Sequence, residues 1–248
     1  MKAFLSYLGI QMKIDLREKG ILMNFYLVPL VFFFVMGAVF SSITPQMKAT
    51  LAATMTLFAL TMGAVMGTPG AIVKMQESGT LRAFRVNGIP SSAVLTVQAL
   101  GAFLHLLIVS VIIYLAAPAA FHSELPKNPP LYFGVLAVFL AASIGIGMLI
   151  GAFSKNQSVA TMLSMAVFLP TMLLSGIMFP ASMLPKALLW VGRIFPATHA
   201  LQALLGLAYQ VKTDWSAGLS FGIVAGIGIL AYVIAALRFN RTRKSEQA

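Results

Sequence analysis

Six long stretches of this sequence, residues 21–43, 49–73, 91–117, 131–153, 158–179 and 217–237, contain no Asp, Glu, Lys or Arg. Each reaches the length, about 20 residues, that an α-helix needs to cross a hydrocarbon layer roughly 30 Å thick. The runs are continuous rather than alternating with period two, so they do not read as barrel strands. A single segment in lipid satisfies its own backbone only as a helix. The expected fold is all-α: a polytopic membrane protein with six transmembrane helices. A chain that is 59% hydrophobic and 9% charged cannot present its whole surface to water, which agrees.

Lys and Arg near span ends are retained in the cytoplasm, which sets the expected orientation. With the N-terminus inside, Lys2, Lys13, Arg17, Lys19, Lys74, Arg82, Arg85, Lys155, Arg238, Arg241, Arg243 and Lys244 are cytoplasmic. Those are twelve of the 17 basic residues, and only Lys48, Lys127, Lys186, Arg193 and Lys212 fall outside. Six spans with both termini cytoplasmic fit this distribution. The expected compartment is a membrane that borders the cytoplasm.

Residues 1–20 read as an amphipathic helix lying at the membrane interface, with Phe4, Leu5, Leu8, Met12 and Leu16 opposite Lys2, Lys13 and Arg17. Residues 21–240 read as one transmembrane domain and 241–248 as a basic cytoplasmic tail. The charged start lacks the apolar core of a cleavable signal peptide. Between spans five and six, Pro180, Pro185 and Pro196 divide the chain into pieces too short to cross a bilayer, about 186–195 and 198–209. Ser182 and Thr198 are the expected helix caps. The expected structure is a pair of outer re-entrant helices that dip partway into the membrane, and His199 belongs to it.

The spans offer little chemistry. Their strongly polar residues are Asn24, Gln98 and His105, and His105 has no carboxylate within a span to pair with. Ion-coupled carriers commonly hold ionisable groups in the membrane, so their absence disfavours a carrier. Ser164 or Ser175 with His105 or His199 would supply a nucleophile and base for a membrane hydrolase, but no G-x-S-x-G elbow is present. There is no phosphate-binding loop and no histidine spacing for a metal. The net charge of +11 is scattered over helix ends, which argues against nucleic acid as a partner. Gly145, Gly147 and Gly151 are expected to let helices pack closely. Gln98, His105, Thr171 and Ser175, polar groups in apolar spans, are the candidates for lining a solute path.

The loop between spans two and three is richer. In Lys74-Met-Gln-Glu77-Ser-Gly79-Thr80-Leu81-Arg82-Ala-Phe84-Arg85-Val-Asn-Gly88-Ile-Pro90, Ser78 or Thr80 can open a short helix that puts Leu81 and Phe84 on one face. Gly88 and Pro90 end it. A short helix with an apolar edge is expected to dock against something.

These residues resemble the coupling segment of ABC-2 type transporter permeases, and two further stretches are similar to the same family. They are Leu174-Ser175-Gly176-Ile177-Met178-Phe179-Pro180, followed by Leu184-Pro185, and then Phe195-Pro196-Ala197-Thr198-His199-Ala200. The resemblance covers span number, interfacial helix and basic tail. It implies the membrane subunit of a bacterial ABC exporter, acting with a second permease copy or paralogue and two ATP-binding subunits. ATP and magnesium would be held by those partner chains, with no cofactor here. The solute would be a hydrophobic small molecule, peptide or lipid-like compound. Glu77, Gly79, Thr80, Leu81 and Arg82 take the coupling role by resemblance; Phe84 and Arg85 join them from the reading of the loop. Downstream of His199 the chain departs from many drug-exporting relatives, with Leu204, Leu205 and Gly206 in place of an arginine.

Overall fold

The computed structural model describes residues 2–43 and 48–245, with the side chains of Lys2, Ala3, Leu5, Ile43, Arg85, Ser91, Ser182 and residues 239–245, Arg241, Arg243 and Lys244 among them, outside the described set. Among the described residues its regular structure is all helical, without strands. Six helices are long and apolar enough to cross a membrane: Lys19–Ser42, Leu51–Glu77, Ser92–Phe121, Pro129–Phe153, Gln157–Leu174 and Ala217–Arg238. These are spans one to six, and they bear out the expected multi-pass architecture.

Span two is the axis of the bundle, with 78% of its apolar window buried, against 22% for span one and 28% for spans five and six. The outer helices turn large apolar side chains away from the protein, among them Val31, Phe34 and Val35 on span one and Ile229, Leu230 and Val233 on span six. That face suits lipid. Span four lies between spans two and six, and glycines set both approaches. A Cβ at Gly147 would stand 2.3 Å from the Ala64 carbonyl oxygen of span two, and one at Gly145 would press on Tyr232 and Ala231 of span six. Gly151 meets Ile72. The glycines therefore do the packing expected of them. Spans two and four are also joined through the wholly buried Tyr132, whose hydroxyl lies 3.1 Å from Thr56 Oγ1 and donates to the Ala52 carbonyl at 3.2 Å. Buried hydroxyls need such partners.

Spans one and two each contain a wide π turn, Met23–Leu27 and Gly63–Gly67. Each ends two residues before a proline, Pro29 and Pro69. A proline cannot donate to the carbonyl four residues back and its ring crowds that carbonyl, so a widened turn at this point relieves the clash. The two turns face one another, because Phe25 of the first packs against Gly63 and Gly67 of the second.

Several helix ends depart from the sequence expectation. Span three continues one turn through Pro118 to Phe121 and stops at His122, whose φ is +54°. So close to the helix end, the missing proline N–H costs one bond and does not break the helix. Span five stops at Leu174 instead of 179, since Gly176 at φ +87° turns the chain left-handed. The sixth helix runs on to Ser245, into the stretch expected to be a tail. Between spans five and six there are short helices at Lys186–Gly192 and Pro196–Ala203, the second extended by a π turn at Leu204–Ala208. Their caps are Pro185 and Phe195 rather than Ser182 and Thr198. In the second helix Pro196 takes the first position, which suits a residue with no N–H to leave unpaired.

Candidate functional site

The helix of span two runs to Glu77, and Gly79, at φ +72°, then reverses the chain. A second short helix, Thr80–Val86, follows, with Ser78 Oγ and Thr80 Oγ1 2.7 Å apart at its start. Gly88, at φ +77°, closes it, and the Ile89 N–H donates to the Phe84 carbonyl at 2.9 Å. That is the six-to-one bond of a Schellman stop. Leu81 and Phe84 share a face as expected, but this face is already used. Leu81 is buried, and the Phe84 ring lies 5.6 Å from that of Tyr7 on the N-terminal helix Lys2–Asp15. Glu77, Gly79 and Arg82 stand exposed on the other side, joined by Val86, which is 80% exposed. The free edge of this element is therefore Glu77, Arg82 and Val86.

The N-terminal helix does more than carry charge at an interface. Phe4, Leu8, Gln11 and Asp15 follow three- and four-residue spacing and lie toward the protein, while Ile10 and Ile14 are exposed. Leu16, placed on the apolar side with Phe4 and Leu8, is 52% exposed, so the apolar residues divide between the protein and the outer surface of this helix. Asp15 is 3% exposed and its Oδ2 lies 3.5 Å from Nε2 of the fully buried His105. The absence of a carboxylate partner for His105 is thus corrected: the partner comes from outside the spans. A Cβ at Gly101 would lie 3.3 Å from Asp15 Oδ2, so the glycine leaves the carboxylate its place.

Both ends of this pair are held. Gln11 Nε2 donates to Asp15 Oδ1 at 2.7 Å, and the Tyr26 hydroxyl lies 2.7 Å from His105 Nδ1. Phe25 stacks on the imidazole at 6.0 Å between centroids. At 3.5 Å, His105 Nε2 is within ion-pair reach of Asp15 but makes no hydrogen bond. The carboxylate also acts at a distance: burial first, and then Asp15, raise the Tyr7 phenol above its ordinary pKa, so Tyr7 stays neutral. One short helix consequently touches the loop between spans two and three through Tyr7, span three through Asp15, and, through His105, the π turn of span one. An exposed Glu18–Lys74 pair at 2.5 Å adds a tie to span two. Exposed pairs of this kind contribute little stability.

At the opposite end of the bundle, the segment between spans five and six builds a different site. At the end of a short helix the Gly192 carbonyl, which also accepts the Phe195 N–H at 3.1 Å, and the Arg193 carbonyl accept side-chain hydrogen bonds from the next helix: Thr198 Oγ1 at 2.5 Å and His199 Nε2 at 2.9 Å. Gly192 is required here, since a Cβ would meet the Leu174 carbonyl oxygen at 2.3 Å. The result is a cavity of about 320 Å³ between this segment and the ends of spans one, two and five, lined by Ser175, Pro180, His199 and Arg193 among others.

The ABC-2 type transporter family profile matches residues 4–209. The chain belongs to that family. Among curated ABC relatives, it is 29% identical over 183 residues to "ABC transporter G family member 20" of Dictyostelium discoideum, a match covering 72% of this chain and 25% of that one. It is 26% identical over 187 residues to "Inner membrane transport permease YhhJ" of Escherichia coli, covering 74% of this chain and 49% of that permease. A shorter stretch of 76 residues is 33% identical to "Probable multidrug ABC transporter permease YbhS" of the same organism, covering 30% of this chain and 20% of that one. The chain thus spans less than half the length of each of these relatives.

As a membrane component of an ABC-2 transporter, the chain scatters the four candidate path residues. His105 is spent on Asp15 and Tyr26, and Gln98, one heptad earlier on span three, is partly buried with its amide oxygen unpartnered. Thr171 Oγ1 bonds the Val167 carbonyl at 2.6 Å within its own helix. Ser175 lines the 320 Å³ cavity, whose walls include none of the other three. The serine–histidine pairs of a hydrolase are not formed among the described residues: the Ser164 hydroxyl has no partner, and His199 Nε2 is taken by a backbone carbonyl. Sequence reasoning missed Asp15 and Val86. For Asp15 the signal was a pair of polar residues, Gln11 and Asp15, falling on the spacing set by Phe4 and Leu8.

Proposed function

We propose that this chain is the transmembrane subunit of an ATP-driven exporter of hydrophobic or amphipathic solutes. The ATP-binding subunits dock on the exposed edge of the loop between spans two and three. The observation that carries this reading is the two-sidedness of the Thr80–Val86 element. Its inner face is fixed to the N-terminal helix through Leu81 and Phe84, and its outer edge of Glu77, Arg82 and Val86 is free. An element held on one side and open on the other transmits a push. The family match and the transporter names of the relatives support it. In this reading both termini and the loop are cytoplasmic, two copies or a copy and a paralogue form the path, and the chain itself performs no hydrolysis.

The test is co-expression with a candidate ATP-binding subunit and reconstitution in vesicles. The E77K/R82E variant is expected to keep ATP hydrolysis and lose most solute transport. Normal ATP-driven transport by that variant would remove the loop from the coupling route. The Asp15–His105 pair gives a proton-coupled carrier one observation in its favour. Transport driven by an imposed pH gradient, with no ATP-binding subunit present, would select that alternative.

A further inference from the structure

The cavity at the end opposite the coupling loop holds an unusual cation. The guanidinium carbon of Arg193 lies 3.9 Å from the centre of the Trp190 ring and 4.5 Å from that of Trp215. No carboxylate or carbonyl among the described residues accepts a hydrogen bond from this side chain, although Asp214 lines the same cavity. Indole rings stabilise a guanidinium through its faces and leave the N–H donors along its edge unspent. His199 fixes the arrangement from behind, bonding the Arg193 carbonyl and packing edge-on to Trp215 at 5.9 Å.

The rest of the wall is mostly apolar, with Leu174, Ile177, Leu189 and Leu205, and includes Gln202, whose amide oxygen is buried without a partner. A volume near 320 Å³ falls within the range of small-molecule sites, ~300–1,000 Å³. Apolar walls around a single donor-rich, planar cation suit one ligand class.

We propose that this cavity binds an amphipathic anion, an apolar chain or ring system ending in a carboxylate or phosphate that pairs with the Arg193 edge. The site stands on the cavity and not on the exporter reading, although an exporter would release its solute at this end. The anion has two sources, an exported solute or the headgroup of an anionic lipid.

Trp190 and Trp215 are the only tryptophans in the chain, and both stack on Arg193, so its intrinsic fluorescence is sensitive to this site. The experiment places the full chain in phosphatidylcholine nanodiscs and titrates parinaric acid, a polyene fatty acid that accepts energy from excited tryptophan, against its uncharged methyl ester. Saturable transfer to the acid at concentrations about tenfold below those for the ester is expected, the size of one charge-assisted hydrogen bond. R193Q should erase that difference while leaving transfer to the ester unchanged, which shows that the tryptophans are still in place. R193K should retain part of it, and D214N should strengthen binding of the acid. Equal response to acid and ester, an unaltered difference in R193Q, or weaker binding in D214N would overturn the proposal. Repeating the titration with phosphatidylglycerol in the discs identifies the source. Loss of the acid response there means that lipid headgroups fill the site; persistence means that it prefers the soluble amphipath. Either result upholds the anion site. None of these measurements needs an ATP-binding subunit, so this proposal and the exporter reading fail separately.

Discussion

Asp15 and His105 form a buried pair whose two members are not equivalent. Removing His105 leaves a carboxylate that is 3% exposed with only Gln11 for company, whereas removing the charge of Asp15 leaves an imidazole that is stable when neutral. H105L is therefore expected to cost about 3 kcal/mol of stability, and D15N about 1 kcal/mol. The double variant should lie close to D15N alone, because the stranded charge has gone; denaturant unfolding of the purified chain in mild detergent measures all three. Equal and additive losses would mean that the two residues do not sense one another. Sequence alone showed His105 as a polar group in an apolar span but could not show its partner. Asp15 precedes every uncharged run, and only the folding of the N-terminal helix onto span three at Gly101 brings it there. Val86 escaped notice for the reverse reason: an apolar residue in a short helix reads as core until the structure shows its face left open.

At the scale of helices, hydropathy made the spans legible and glycine explained their contacts, but their ends needed backbone geometry. Pro118 reads as a stop and is passed over because it lies within the last turn; Gly176 reads as an ordinary small residue and ends span five by its left-handed φ. The π turns before Pro29 and Pro69 have a sequence signal, the proline itself, but the widening that answers it is visible only in the fold. Span four provides a contrast within one helix. A Cβ at Gly147 would collide with the Ala64 carbonyl, a backbone atom that cannot swing aside, while one at Gly134 meets nothing within 4 Å. G147A is accordingly expected to destabilise by about 1–3 kcal/mol through overpacking. G134A should be neutral or slightly stabilising, since alanine is the better helix former by about 1 kcal/mol. Thermal unfolding of the two variants side by side checks the packing of spans two and four without any transport assay.

For the whole molecule, the remaining question is which end faces the cytoplasm, and there the charge distribution and the two sites depend on each other. If the loop carrying Glu77 and Arg82 lies inside, twelve basic residues lie with it, and the Arg193 cavity opens outward, where an exported amphipath would leave. In the opposite orientation the coupling edge would face a compartment without ATP, and the exporter reading would fail as a whole. The chain contains no cysteine, so a single introduced thiol has no background. Ser78 is exposed beside the Thr80–Val86 helix, and Lys212 is exposed on the segment between spans five and six. K212C is expected to react with a membrane-impermeant maleimide in intact cells, and S78C only after the membrane is opened or inverted. Labelling of S78C in intact cells, with K212C protected, would reverse the topology and rule out coupling through this loop. The fluorescence test of the anion site would be unaffected, since nanodiscs expose both faces.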